Sequence, residues 1–126
     1  METTGPKKKF SLAKRSKSFT HAFRGIGVFL KTSHNSWIHL VILVGAILAG
    51  FYFGIDKTAW MMLVFAAGLV LTAEAFNTAI EIDIDLTSPN YHPFAKDTKD
   101  VAAGAVLISA ITAFLIGIFI FGPYVF

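Results

Sequence analysis

The sequence predicts an all-α membrane protein: three transmembrane helices, preceded by an N-terminal amphipathic helix lying in the membrane interface. Three observations carry this. The chain of 126 residues is 55% hydrophobic and only 15% charged, too apolar to cover a water-facing domain of this size with polar side chains. It contains three long apolar runs, at 37–55, 59–73 and 101–126, against the roughly 20 residues that a span needs. Eight of its eleven Lys and Arg lie in the first 31 residues, the distribution of a flank retained on the cytoplasmic side.

Residues 1–10 read as a basic tail, and 11–126 as a single membrane-embedded domain. The start, METTGPKKKFSLAKRSKSFTHAFRG, is too polar for a signal peptide, so the first span is expected to persist in the mature protein. From Ser11 the pattern turns helical. Phe19, Phe23, Ile26 and Leu30 recur at helical spacing, with Lys14, Arg15, Lys17 and Arg24 among them. That is the pattern of an interfacial helix, expected over 11–31. KTSHNSW, at 31–37, reads as a short break.

The first span is expected over 36–54, where Trp37–Ile55 carries no charge unless His39 is protonated. A turn at IDKT follows, with Asp56 and Thr58 as N-cap candidates for a second span over 58–86. Its apolar part, 59–73, reaches bilayer length only if Glu74 and Asn77 sit at the membrane boundary. SPN at 88–90 and Pro93 close that helix. The third span, expected over 98–121, takes Asp97 or Thr98 as its cap, and Gly122–Pro123 ends it. The lysine asymmetry places the N-terminus and the second loop in the cytoplasm, and the IDKT turn and C-terminus outside.

With no Cys in the chain, disulfides, thiolate nucleophiles and thiolate metal sites are excluded. There is no G-x-x-x-x-G-K-[ST] and no Gly-rich loop after a strand, which excludes the familiar soluble nucleotide-binding folds. DIDLTSPN lacks the Gly and Glu of a calcium loop. The four His show no metal-ligand spacing and read as interfacial or hydrogen-bonding residues.

The chemistry lies in AEAFNTAIEIDIDL, residues 73–86, where an uncharged helix runs on into four carboxylates without a Gly or Pro. At 100° per residue, Glu74, Asn77, Glu81 and Asp85 share one face, and Asp83 lies opposite. Glu74 and Glu81 stand about 10 Å apart along the axis. A carboxylate at membrane depth costs about 2.5–3.5 kcal/mol at a helix centre, less near the boundary. Hydration in the headgroup zone would satisfy Glu74 alone, but the aligned acids with Asn77 between them favour a site. Such a stripe can bind a divalent cation or provide a general base. Lys96 and Lys99 in the following loop can meet phosphate charge.

EAFNTAIE at 74–81, then Asp85, then YHPFAKDTKDVAAGAVL at 91–107 together resemble the small prokaryotic diacylglycerol kinase and undecaprenol kinase family. F-x-x-A-F-x-G-I at 19–26 and NSWIH at 35–39 are similar to its N-terminal region. The resemblance runs without a gap from about Lys14 to the end of the third span. It implies an ATP-dependent lipid kinase, with diacylglycerol or undecaprenol as acceptor, acting as a homotrimer with shared sites at the cytoplasmic face of a bacterial inner membrane. Mg²⁺ and ATP would be required, and no nucleic-acid partner is expected. By position, Glu74 matches the family's catalytic base and Glu81 a metal-binding Glu that also faces nucleotide. Asn77, Asp85, Lys99 and Asp100 match the remaining site motif. Lys14, Asn90, Tyr91 and His92 fall where the family contacts nucleotide. Ser33 stands where the family usually has a second acidic metal ligand, and a neutral hydroxyl is a poorer Mg²⁺ ligand. Two other readings stay open: a small oligomeric cation- or proton-pathway protein, and a catalytically weakened relative that only scaffolds.

Overall fold

A computed structural model describes residues 11–126; the basic tail at 1–10 lies outside the described residues. Four helices follow one another: α1 (Leu12–Thr32), α2 (His34–Phe53), α3 (Lys57–Thr87) and α4 (Pro93–Val125). No strand occurs among the described residues. The last three are each long and apolar enough to cross a membrane, and α1 is the expected amphipathic helix. At 1.5 Å per residue α3 is about 46 Å long and α4 about 50 Å, against a hydrocarbon core of about 30 Å. Both therefore project beyond it.

Helix boundaries follow from local chemistry. Ser11 caps α1, its hydroxyl accepting from the Lys14 N–H at 3.4 Å. The break between α1 and α2 is one residue. Ser33 ends α1, donating its N–H to the Phe29 carbonyl, and starts α2, its Oγ accepting from the Ser36 N–H at 3.2 Å. Gly54 closes α2 at φ 65°, a conformation that L side chains rarely adopt. Asp56 caps α3 through the Ala59 N–H at 2.8 Å, as expected.

The last helix departs from expectation at both ends. Pro93, expected to help close the helix before it, opens α4 behind the His92 cap. Proline suits a first turn because the N–H it lacks would have no partner there. Asp97 and Thr98 thus lie inside the helix, the Thr98 hydroxyl donating back to the Phe94 carbonyl at 2.7 Å. At the far end the helix runs through Pro123 to Val125, with the Phe126 N–H reaching the Gly122 carbonyl. A proline this late displaces little of the hydrogen-bond ladder.

Helices α3 and α4 form an antiparallel hairpin in contact along much of their length, and α2 leans on α3 over a shorter stretch. At the end away from Glu74, Phe53 of α2 stacks on Tyr124 of α4 at 5.1 Å between ring centroids. Gly50 lets α2 approach α3 closely: a Cβ there would stand 2.6 Å from the Trp60 ring. The buried hydrophobic core is small, consisting of Ile55, Leu63, Ala66, Val70 and Ala102. Val41, Phe51, Phe65, Phe114 and Phe119 all face outward. This inversion suits a chain surrounded by lipid or by other copies of itself, since apolar surface of this extent has no place in water.

Candidate active site

The buried residues of α3 are Leu63, Ala66, Val70, Glu74, Asn77 and Thr78. Spacings of three and four make them one stripe, so the face that packs the core is also the face that turns polar at Glu74. This answers why the helix continues without a break into its acids: the same rod carries the carboxylates out of the apolar zone. Glu74 is 1% exposed and Asn77 9%. Farther along, Glu81, Asp83 and Asp85 are exposed.

Around this stripe the side chains pair in sequence. His39 of α2 meets Glu74, Nε2 to Oε1, at 3.2 Å. The Thr78 hydroxyl donates to the Glu74 carbonyl at 2.9 Å. One turn farther on, the Asn77 amide donates to Glu81 Oε1 at 3.1 Å, while Asn77 Oδ1 is buried without a partner among the described residues. Asp85 takes a hydrogen bond from Lys99 of α4 at 2.6 Å, tying the polar ends of the hairpin together. Lys99 and Lys96 occupy the polar first turns of α4, before its apolar run begins at Val101, and both ammonium groups are pushed above their ordinary pKa. The Asp85 hydrogen bond is the main cause for Lys99, and the Asp100 hydrogen bond for Lys96. Both remain cations throughout the neutral range.

A cavity of about 350 Å³ lies between α2, α3 and α4. His39 stands in its wall with Val70 and Leu71, and the remaining lining is overwhelmingly apolar, with Ala113, Phe114 and Phe121 from α4. Polar pairing and an apolar channel therefore meet one turn from Glu74.

The structure gathers some of the expected site residues and disperses others. It brings Glu74, Asn77, Glu81, Asp85 and Lys99 onto one side of the α3–α4 hairpin. Asp100 is engaged with Lys96 at 2.5 Å. His92 is committed to the α4 cap, its Nδ1 accepting from the Phe94 N–H at 3.1 Å. Asn90 and Tyr91 are exposed in the α3–α4 loop, and Lys14 is exposed on α1, with no hydrogen bond or ion pair to Glu81 or Asp85. Ser33 serves as a cap, which occupies its hydroxyl oxygen. No group of three His, Asp or Glu suited to a metal occurs among the described residues. The oxygens do fit a cation of the kind that also takes substrate phosphates and water as ligands: the exposed Glu81 carboxylate stands beside the unpartnered Asn77 Oδ1.

His39 is the residue that sequence reasoning missed. Its contact with Glu74 spans thirty-five residues, beyond any local spacing. The available signal was its place as the lone ionisable group in an apolar span, where a partner is the default expectation.

The profile of the prokaryotic diacylglycerol kinase family matches residues 20–121. The chain is similar to an undecaprenol kinase of Bacillus subtilis (strain 168), 38% identical over 85% of this chain and 87% of that protein. It is similar to a diacylglycerol kinase of Synechocystis, 39% identical over 79% of this chain and 58% of that longer protein. A diacylglycerol kinase of Escherichia coli (strain K12) is 26% identical over 81% of this chain and 89% of its own.

Proposed function

Since the chain belongs to the prokaryotic diacylglycerol kinase family, we propose that it moves the γ-phosphoryl group of ATP to a lipid hydroxyl at Glu74, on the cytoplasmic side of a bacterial inner membrane. It is a membrane-embedded lipid kinase, a phosphotransferase whose acceptor is an alcohol, diacylglycerol or undecaprenol. The observation that carries the residue assignment is the burial of Glu74. A carboxylate is buried where the apolar cavity meets the polar face of α3, the depth at which a lipid hydroxyl sits with its tail still in hydrocarbon.

Each remaining group takes a role from its position. Glu74 accepts the hydroxyl proton as the lipid oxygen attacks the γ-phosphorus, and the bond from that phosphorus to the β–γ bridging oxygen breaks to release ADP. Lys99, drawn to the stripe by Asp85, offsets negative charge on the nucleotide. Asn77 orients Glu81 through its amide. Lys14, Asn90, Tyr91, His92 and Asp100 border the approach of the nucleotide from water. Glu81 and the Asn77 amide oxygen would hold Mg²⁺, which when bound neutralises phosphate charge and aligns the transferring group. Proton or cation conduction is disfavoured because the described part of α3 and α4 carries no acid deeper than Glu74.

Three helices do not enclose a polar stripe from lipid on all sides, so a homotrimer with sites completed by neighbouring subunits is the assembly proposed. The deciding experiment is phosphate transfer from labelled ATP in mixed micelles, with diacylglycerol and undecaprenol supplied separately. Label in neither lipid rejects the reading; label in one identifies the acceptor.

A further inference from the structure

Among the described residues, His39 is the one histidine whose ring meets a carboxylate. Its side chain is 21% exposed and that of Glu74 2%. The contact joins α2 to α3 just where the apolar cavity ends. A carboxylate is acceptor-only, and one buried without a donor carries a heavy desolvation penalty. A glutamate also has three side-chain torsions, so without a tether its oxygens sample several positions. A hydrogen bond to one oxygen from another helix removes that freedom. A displacement of about 1 Å in a reacting group can lower a rate ~10²-fold, so a tether of this kind acts on turnover.

We infer that His39 is a positioning residue for phosphoryl transfer: its Nε2–H holds Oε1 of Glu74, and the second carboxylate oxygen is thereby set to take the proton of the lipid hydroxyl. The inference rests on the reading of Glu74 as the base. It requires His39 in the tautomer that carries hydrogen on Nε2. It requires no proton transfer through the imidazole, so a side chain with an N–H at the same place can substitute. Glutamine is that side chain, since its amide nitrogen reaches about as far as Nε2. Leucine fills similar space without a donor.

The test compares wild type, His39→Leu, His39→Gln, Glu74→Gln and the double variant His39→Leu/Glu74→Gln. All are assayed as full chains in mixed micelles with Mg-ATP and the accepted lipid. His39→Leu is expected to lower kcat by about 10–100-fold, with KM for ATP and lipid within about threefold of wild type. His39→Gln should recover at least half of that loss on a logarithmic scale. In the Glu74→Gln background, His39→Leu should add little, because the group it positions is already gone. If His39→Leu does not assemble, the Gln variant decides alone: near-wild-type turnover supports the inference, and an assembled but inactive Gln variant overturns it. Wild-type kcat in His39→Leu also overturns it, as do equal losses in the Leu and Gln variants. Full activity in Glu74→Gln would instead remove the base assignment itself, so the two failures are distinguishable.

Discussion

Glu74 and Asp83 lie on one helix, nine residues apart, and nine steps of 100° turn through half a circle. The structure gives them opposite surroundings: Glu74 is 1% exposed on the core-facing stripe, and Asp83 is exposed. Amide replacement changes each by the same chemistry, removing ionisation while keeping shape. Glu74→Gln keeps an acceptor oxygen for the His39 N–H and leaves the buried packing of α3 intact, so the change falls on proton acceptance. Loss of a general base costs ~10²–10⁴-fold in rate, which at ~1.36 kcal/mol per decade is about 2.7–5.4 kcal/mol of barrier. Asp83→Asn alters a solvated group remote from the stripe, and turnover should stay within about twofold. The assay is the initial rate of labelled phosphate transfer at saturating lipid and ATP, with elution volume in detergent as the assembly control. Comparable losses from both substitutions would refute the assignment of faces, and with it the placing of the chemistry at Glu74.

Three other outcomes follow from features of the same structure. Gly50→Ala places a methyl 2.6 Å from the Trp60 ring and should destabilise the protein by about 1–3 kcal/mol through overpacking, offset by ~0.5–1 kcal/mol of better helix propensity. Gly45→Ala, with open space around it, should be neutral or stabilising, and unfolding midpoints in mixed detergent would check the opposite signs. Ser33→Ala removes the α2 cap and should cost ~0.5–2 kcal/mol of stability, whereas Ser33→Glu should lower the Mg²⁺ needed for half-maximal rate while sharing that loss. Rate against free Mg²⁺, together with the unfolding midpoint, separates the two effects. Lys57→Cys should react with impermeant thiol reagents from outside the cell only, and labelling confined to the cytoplasmic face would invert the proposed topology.

Much of the fold was legible because apolar length and helical period are local properties. The three spans, the interfacial helix, the Asp56 cap and the common face of Glu74, Asn77, Glu81 and Asp85 all follow from spacing along one helix. What remained hidden depends on choices between neighbouring signals or on long range. Pro93 stops one helix and starts another with equal right, and only the His92 cap decides that it starts α4. The capping role of Ser33 is not visible from its place in the family motif alone. Its hydroxyl is used by the backbone of α2. His39 could not be assigned to Glu74 from sequence, because no spacing rule reaches across two helices. The pairing of Asp85 with Lys99 likewise needed the hairpin to bring residues fourteen apart together.

The unbroken course of α3 through the membrane boundary has a consequence for the setting in which the protein works. Its carboxylates are marks on a stiff ruler, with about 10 Å along the axis between Glu74, on the buried stripe, and Glu81, the next acid on the same face. The chain has no joint there with which to adjust that interval. Lipid and nucleotide come from two phases, so the phases themselves must meet the ruler at the right mark. A thicker or thinner bilayer tilts the spans or shifts the headgroup plane along them, carrying Glu74 toward or away from the depth at which lipid hydroxyls reside. If the chemistry takes place at Glu74 as proposed, bilayer thickness becomes a control variable for turnover, and vesicles of graded acyl length should give a rate that passes through a maximum.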